Sequence, residues 1–276
     1  MQQQNNNYTG WKIAGHGAEA YERYIVPAWM GAWARHMVQA ARIEAGDRVL
    51  DMACGTGVVA REAYKAVTSK GEVTGVDRDQ QMLDAAAKFA RQEGASSIQW
   101  RQGDALNIPL DTASCDVALC QQGLQFFPDK PAALQELARV LRPWGRVVLG
   151  TWAALNRCSI MSVLADIITE NFGMKGGEVF HASCSLSERE TLRALLENAG
   201  FKNIHIRMET KVARYPSIAD FLLGYLSIFP FSASISALNE TDRVSLFKKM
   251  ELALSSYSDD DGLAAPLTSH IAVAAR

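Results

Sequence analysis

The chain has 276 residues, a length that suits one large α/β domain or two smaller domains. Hydrophobic residues make up 48% of it and charged residues 21%, a balance that is typical of folded globular proteins and excludes a disordered chain. The formal net charge is -2, and without a basic excess we expect no binding to nucleic acid.

The five cysteines form no C-x-x-C pair, so neither a disulfide framework nor a structural metal site is expected. This cysteine usage fits a reducing compartment and predicts a cytoplasmic protein. Residues 1–10 start with a glutamine- and asparagine-rich run and lack the apolar segment of a signal peptide. They are predicted to form a disordered tail.

Apolar and aromatic residues recur at three- to five-residue spacing over residues 11–45, which predicts helix, and Pro27 is expected to start a second helix there. From Gly46 onward, strand-like runs alternate with helical stretches. The predicted strands are 48–52, 72–76, 97–102, 116–120 and 146–151, and the predicted helices are 58–68, 80–92 and 131–141. This alternation is typical of a parallel sheet with helices on both faces.

The second half of the chain continues with a predicted helix at 159–172 and another at 187–199, with Ser187 as its cap and Gly200 as its end. Strands are predicted at 203–212 and 270–275. Between them, nineteen residues, 221–239, carry no charge. A membrane-spanning helix needs about 20 apolar residues, but Pro230 and four serines interrupt this segment, so we expect two short helices that cover an apolar pocket.

The strongest motif is the segment VLDMACGTG at residues 49–57, which follows a predicted strand and opens a predicted helix. Gly55 and Gly57 permit a tight turn in which a ligand approaches backbone N–H groups. Asp77 ends the next predicted strand, twenty residues past Gly57, where a carboxylate can accept hydrogen bonds from both hydroxyls of a ribose. This spacing predicts a ligand that contains adenosine.

Two adenosine ligands compete for this turn. NAD would place a pyrophosphate next to Asp51, whose negative charge disfavours it. The same carboxylate favours an ammonium or a sulfonium, and therefore S-adenosylmethionine (SAM). Asp51 could alternatively do no more than cap the turn.

Residues 49–57 resemble the first motif of the class I SAM-dependent methyltransferases, and the resemblance extends over about residues 45–151. The other matching segments are 75–77 with Met82, 102–105, 116–129 and 139–146. The subgroup that they resemble is that of small-molecule and quinone methyltransferases. The resemblance implies an α/β fold with a Rossmann-like, doubly wound, seven-stranded sheet whose last strand is antiparallel, together with an N-terminal helical cap and an inserted helical lid.

The resemblance also implies a set of SAM-binding residues: Tyr21, Arg35, Asp51, Gly55, Gly57, Asp77, Arg78, Met82, Asp104, Ala105, Gln121 and Gln122. The two glycines would hold the methionyl part through their backbone. Asp77 would bind the ribose and Asp104 the adenine amino group. Gln121 would accept from the methionyl ammonium, while Tyr21 and Arg35 would reach the methionyl carboxylate from the cap.

The methyl acceptor is expected to be a small apolar or aromatic metabolite. Its predicted pocket consists of Trp152, Phe221, Tyr225 and Phe229, although an apolar stripe at helical spacing is also typical of a core face. Transfer from a sulfonium needs mainly proximity and orientation. A base is needed only when the acceptor retains its proton, and His181 is the candidate for that role.

The expected organisation is a cap at 11–45, a SAM-binding core at 46–215, a lid at 216–258 and a last core strand within 259–276. The predicted function is methyl transfer from SAM to a small-molecule acceptor, without a metal ion. The alternatives are a SAM-binding protein of the same fold that does not methylate, such as a cyclase or a binding module, and an NAD-dependent oxidoreductase.

Overall fold

The structure is a computed structural model that describes residues 17–228 and 232–276. The predicted tail 1–10, residues 11–16 of the predicted cap and Phe229 lie outside the described residues.

The described strands form one mixed sheet. They are β1 Arg48–Met52, β2 Glu72–Asp77, β3 Gln99–Gln102, β4 Cys115–Gln121, β5 Leu141–Trp152, β6 Lys202–Tyr215, β7 Ser258–Asp259 and β8 Gly262–Ala275. Their order is β3-β2-β1-β4-β5-β8-β6, and the two-residue β7 pairs with β8 outside this path. Strands β1 to β5 are parallel, whereas β8 runs antiparallel to both β5 and β6. The predicted doubly wound sheet with an antiparallel last strand is confirmed, and β7 is an addition to it.

Helices cover both faces of the sheet. They are α1 Gly17–Ala20, α2 Gly31–Ala41, α3 Val58–Val67, α4 Gln80–Gln92, α5 Lys130–Val140, α6 Ser159–Phe172, α7 Met174–Ser183, α8 Arg189–Asn198, α9 Ile218–Leu226, α10 Ser232–Ser236 and α11 Glu240–Leu254. One apolar core lies on the face that α2, α3, α6, α9 and α11 cover, and a second lies under α5 and α8. Each sheet face therefore buries its own set of apolar side chains, as in other doubly wound sheets.

Pro27 does not start a new helix. It lies inside a wider, π-type segment, Tyr21–Met30, which joins α1 to α2 without a break. The Gly31 N–H donates to the carbonyl of Val26, five residues earlier, which is the π-helical pattern. A proline in a regular α-helix collides with the carbonyl four residues before it. The wider spacing accommodates Pro27, so the expected helix start at this residue is wrong.

Helix α8 begins two residues later than predicted and without a side-chain cap. Its N-cap is Glu188, whose side chain makes no capping hydrogen bond. Ser187 precedes this N-cap residue, and its carbonyl lies 2.7 Å from Nε2 of His270 in β8. Ser187 therefore does not occupy the capping position that was predicted for it. The expected end is right, because Gly200 follows the helix at φ +87°, a left-handed conformation that suits glycine.

The segment predicted as a lid contains α9, α10 and α11. Helix α9 packs on the π-type segment, where Gly224 lies so close to the Tyr24 ring that a Cβ atom would overlap it. Helix α11 packs on α6 and α9 through the buried residues Phe247 and Met250. Across the described ranges, no helix combines the length and the apolar character that crossing a membrane requires.

Candidate cofactor-binding site

A cleft of about 460 Å³ opens at the carboxyl ends of β1, β2 and β4, a size within the range of ligand sites. It lies where the strand order reverses between β1 and β4, which is where doubly wound sheets bind ligands. The lining residues are Tyr21, Met30, Met52, Ala53, Gly55, Thr56, Asp77, Arg78, Asp79, Met82, Gly103, Asp104, Ala105, Gln121, Gln122, Gly123, Phe126, Phe127 and Pro128. Most of the predicted SAM-binding residues are in this set, whereas Arg35, Asp51 and Gly57 are not.

Asp77 is the best-positioned polar group of the cleft. One carboxylate oxygen accepts from the Gly55 N–H at 2.8 Å and the other from the Asp79 N–H at 3.0 Å. The side chain is thereby fixed at the end of β2, with only 9% of the residue exposed. A carboxylate accepts about four hydrogen bonds, so these two contacts leave Asp77 with free capacity for a ligand.

Gly55 keeps the turn after β1 open. It adopts φ +53°, and no atom lies within 4 Å of the position that a Cβ would occupy.

On the β3 side of the cleft, Asp104 accepts from the Leu106 N–H at 2.9 Å and stands next to the buried Ala105. These two residues lie where the resemblance places the adenine.

Two buried polar atoms on the cleft have no hydrogen-bond partner among the described residues: Thr56 Oγ1 and Gln121 Oε1. The Gln121 amide is fixed because its Nε2 donates to the Met30 carbonyl at 3.2 Å. An unpaired buried polar group costs roughly 1–3 kcal/mol, so this end of the cleft favours a ligand that carries both a donor and an acceptor. The ammonium and carboxylate of the methionyl part of SAM fit these two atoms.

The N-terminal helical segment is tied to the glycine turn by a buried ion pair. Arg61 of α3 donates to the Thr56 carbonyl at 2.6 Å and to the Glu22 carboxylate at 3.0 Å. Tyr21, the neighbour of Glu22, consequently lies on the cleft, and burial raises the pKa of its phenol well above the usual range. It therefore faces the site as a neutral hydroxyl.

Asp51 lies beneath the glycine turn and does not line the cleft. The residue is 1% exposed, and its carboxylate accepts from the Ala60 N–H in the first turn of α3 at 2.9 Å. Burial, with the charge of Asp77 nearby, raises its pKa to about 8. This is the capping contact that was the alternative role of Asp51. Its contribution to binding the ligand ammonium stays a prediction.

Gly57 and Arg35 also lie away from the cleft. A Cβ on Gly57 would overlap the indole of Trp100, so this glycine, at φ +82°, permits packing between the turn and β3. Arg35 is exposed on α2. That these two residues contact the methionyl group stays a prediction.

Gln122 lines the cleft, and both the nitrogen and the oxygen of its amide have a hydrogen-bond partner within the protein. Its Nε2 donates to Ser269 Oγ at 3.0 Å, and its oxygen accepts from Gln125 Nε2 at 3.3 Å. The backbone is held at φ +56° while its N–H donates to the Gly150 carbonyl. Gln122 thus fastens the end of β4 to β5 and β8.

Trp152, Phe221 and Tyr225, the predicted acceptor residues that the structure describes, belong to the core. Trp152 stacks on Trp29 with ring centroids 5.5 Å apart, and Phe221 stacks on Tyr225 at 5.0 Å. None of these rings lines the cleft, because the helices of the lid segment pack them against the π-type segment. His181 is exposed on α7 and does not line the cleft either.

Sequence reasoning missed the apolar surface of the cleft, which Met30, Phe126 and Phe127 provide. Phe126 is 53% exposed and, with Met30 and Phe127, gives the cleft a continuous lining of apolar residues. The available signal was the pair Phe126 and Phe127 in the loop that follows the fourth predicted strand, at the sheet edge that carries the other ligand residues.

Comparison with known proteins identifies the family of this chain. A model described as a methyltransferase domain matches residues 49–145. Demethylmenaquinone methyltransferase of Staphylococcus epidermidis is 32% identical over 207 residues, 70% of this chain and 81% of that protein. 2-Phytyl-1,4-naphtoquinone methyltransferase of Synechococcus elongatus is 42% identical over 118 residues, 42% of this chain, and the match spans only about half, 51%, of that relative.

A solved structure shares the fold. Phosphoethanolamine N-methyltransferase 2 of Haemonchus contortus, in complex with SAM, superposes with a TM-score of 0.60 over 94% of this chain and 56% of that one, at 17% identity. The doubly wound sheet and its cleft define a Rossmann-like nucleotide-binding protein. The chain belongs to the class I SAM-dependent methyltransferases, as the motifs at residues 49–151 predicted. This membership decides against the NAD-dependent oxidoreductase.

Proposed function

We propose that the protein transfers the methyl group of SAM to a small acceptor of the quinone or aromatic class. The observation that carries the proposal is the cleft at the β1–β4 switch point. It combines an Asp77 carboxylate held by two backbone N–H groups with the unpaired atoms of Thr56 and Gln121. These groups match the ribose and the amino-acid end of SAM.

SAM supplies an activated methyl group as its sulfonium, so the residues of the chain need to bind and orient both reactants. Asp77 would fix the ribose, Gln121 would accept from the ammonium, and Thr56 would donate to the carboxylate. With the two ends of SAM held, the sulfonium lies between them. The turn at Gly55 leaves room for backbone contact there.

The acceptor class rests on the apolar side of the cleft and on the relatives. Met30, Phe126 and Phe127 offer apolar and aromatic surface beside the methionyl end. The carboxylates on the cleft lie at or just after the ends of β2 and β3, on the adenosine side: Asp77, Asp79 and Asp104. The ring of an electron-rich acceptor such as a reduced quinone can pack on this apolar and aromatic surface.

The test is turnover with purified protein, SAM and 1,4-naphthohydroquinone, with catechol and an aliphatic amine as the comparison acceptors. We expect S-adenosylhomocysteine to form together with a methylated aromatic product, and Asp77→Ala to slow the formation of both at least about tenfold at low SAM concentration. SAM binding without turnover on the aromatic acceptors would favour the non-methylating alternative. Methylation of the amine alone would overturn the acceptor class but leave the SAM site in place.

A further inference from the structure

A second cavity lies at the edge of the sheet opposite the cofactor cleft. Its volume is about 600 Å³, and the end of α2, the first parts of β5 and β6 and the last residues of β8 line it. Because β5 runs parallel to β4, its first residues lie at the amino ends of the parallel strands, whereas the cleft opens at their carboxyl ends. Among the described residues, the two sites have no lining residue in common. The second cavity is therefore separate from the SAM site.

The lining of the second cavity is basic. The described residues that line it include no aspartate or glutamate, and the basic ones are His36, Arg42, Arg146, His205 and Arg207. Arg146 is already paired, because its guanidinium lies 3.0 Å from the Asp47 carboxylate and donates to the carbonyls at the end of α2. The side chains of Arg42 and Arg207 form no ion pair with a described residue. Two cations are thus available to a ligand, and opposite charge favours an anion.

Arg207 is held in a defined orientation at this cavity. Its Nε donates to Nε2 of His205 at 2.9 Å, so the imidazole accepts at that nitrogen and the guanidinium is fixed beside it. The two terminal nitrogens of Arg207 have no hydrogen-bond partner in the part of the chain that the structure describes. Such a guanidinium edge offers parallel N–H donors that match the oxygens of a phosphate or a carboxylate.

His36 shows that cations dominate the electrostatics of this region. Burial lowers its pKa, and the charges of Lys211 and Arg207 lower it further. The Glu209 carboxylate, 4.0 Å from Nε2 of His36, acts in the opposite direction but does not outweigh the two cations. The cavity therefore has a positive potential, which attracts anions.

Trp144 lies at the rim of the second cavity in an unusual conformation. The residue is 91% exposed and adopts φ +70°, a left-handed conformation that costs a bulky side chain about 1–3 kcal/mol. The folded chain gains little burial from this ring, and the backbone is strained to present it. Backbone strain of this kind concentrates at ligand sites. Ile271 and Val273 of β8 add apolar surface to the same lining.

We propose that the second cavity binds a small anionic ligand with a flat aromatic ring. Its phosphate or carboxylate contacts Arg42 and Arg207, and its ring stacks on Trp144. A concave site of this volume fits a small molecule better than the flat surface of a membrane. Nucleotides and other aromatic phosphates share this chemistry.

The experiment is titration calorimetry of the full chain with 1-naphthyl phosphate. Inorganic phosphate and 1-naphthol are the probes that carry only one half of the ligand, and adenosine monophosphate represents the nucleotides. We expect at least one of the two aromatic phosphates to bind about tenfold or more tightly than either half, because charge pairing and ring stacking then act together. The tighter of the two identifies the ligand as a nucleotide or as another aromatic acid. Saturating S-adenosylhomocysteine should leave the affinity unchanged, because the cofactor cleft is a different site.

Two variants locate the binding. Trp144→Gly removes the ring and suits the left-handed backbone, so this variant should fold at least as stably as the wild type. It should weaken binding of the aromatic phosphate roughly 2- to 12-fold, and Arg207→Gln should weaken it at least about fivefold. Arg91→Gln is the matched control, because Arg91 is exposed on α4 and does not line the cavity, and it should leave the affinity unchanged.

No binding of either aromatic phosphate at millimolar concentration would overturn the proposal. Equal affinity in the wild type, Trp144→Gly and Arg207→Gln would place the ligand elsewhere and overturn it as well, and so would displacement by S-adenosylhomocysteine. Inorganic phosphate that binds as tightly as the aromatic phosphates would rule out stacking on the ring. Phosphatidylglycerol vesicles are the last arm: if they sediment the wild type but not Trp144→Gly, while neither aromatic phosphate binds, the surface contacts a membrane and the proposed ligand is wrong.

Discussion

At the residue scale, Asp77 does two things at once. Its carboxylate holds the glycine turn through Gly55, and it offers its free lone pairs to the cleft. Because both functions use the same oxygens, SAM affinity and the shape of the turn are coupled at this residue.

Asp77→Ala is predicted to weaken SAM binding at least about tenfold, since a charge-assisted hydrogen bond to a ligand contributes about 1.5–3 kcal/mol. Titration calorimetry with SAM measures this. Asp84→Ala is the control, because Asp84 is exposed on α4 and does not line the cleft. Equal SAM affinity in folded Asp77→Ala and wild type would contradict the assignment of the ribose site.

Asp51 makes stability depend on pH. Its pKa is about 8 in the folded protein against 3.8 for the ordinary side chain. Between these values the folded carboxyl retains a proton that the unfolded chain has released, so the free energy of unfolding falls as pH rises from about 4 to 8. The slope from this group is up to about 1.4 kcal/mol per pH unit.

Asp51→Asn should remove this slope, because an amide does not titrate and its oxygen can still accept from Ala60. Urea unfolding at pH 5, 6, 7 and 8 on both proteins gives the comparison. The difference in unfolding free energy between variant and wild type should grow with pH and level off above pH 8. A constant difference over that range would show that Asp51 is already ionised in the folded state.

At the scale of an element, the glycine turn after β1 is packed against a residue of β3. Gly57 adopts a left-handed conformation and lies against Trp100, whereas Gly94, also at positive φ, has open space where its Cβ would be. This pair of residues separates backbone strain from steric overlap.

Gly57→Ala is predicted to destabilise the protein by about 1–3 kcal/mol more than Gly94→Ala, since overpacking adds to the strain that both variants share. Denaturant unfolding of both variants tests this, and Trp100→Leu combined with Gly57→Ala should recover part of the loss. Equal losses in the two single variants would mean that the indole moves away at no cost.

The stability of helix α9 likewise depends on its packing against neighbouring segments. Tyr225 is 1% exposed and contacts Trp29 and Phe221, so it is a core residue in this structure. Tyr225→Ala should lower the free energy of unfolding by about 3–5 kcal/mol, and SAM affinity of the folded variant should remain unchanged.

Leu252→Ala is the matched control on α11, because Leu252 is 77% exposed and should change stability by less than about 0.5 kcal/mol. Thermal melts, SAM titration and acceptor kinetics on both variants give a complete comparison. A stable Tyr225→Ala protein with a raised acceptor KM would contradict the core role and support the acceptor pocket that the sequence predicted.

At the scale of the whole molecule, SAM should stabilise the fold by mass action, because the cleft joins β1, β2, β4 and the N-terminal segment. At a free SAM concentration of about 100 times Kd, the gain is about 2.7 kcal/mol, which raises the melting temperature by several degrees. S-Adenosylhomocysteine should compete in differential scanning fluorimetry, and NAD at the same concentration should produce no shift. A larger shift with NAD than with SAM would be incompatible with the proposed site.

Local chemistry accounts for the parts of the site that were predictable from the sequence. Residues 49–57 contain a strand and a glycine turn, and a helix follows them directly along the chain. When the first two strands pair in parallel, this turn and Asp77 lie at the same sheet edge and form a nucleotide cleft. Asp104, Ala105 and Gln121 likewise follow strands directly, and all three lie on the cleft.

The sequence does not determine the direction of residues whose position depends on partners in other elements. Asp51 points under the turn because the Ala60 N–H is there, and Gly57 faces Trp100 from another strand. Trp152, Phe221 and Tyr225 have the spacing of an amphipathic face, but spacing does not say whether such a face meets a ligand or another helix. Here it meets the π-type segment, while Met30 and Phe126 reach the cleft. Which apolar face remains open depends on the packing of elements far apart in the chain, and that is a property of the assembled fold.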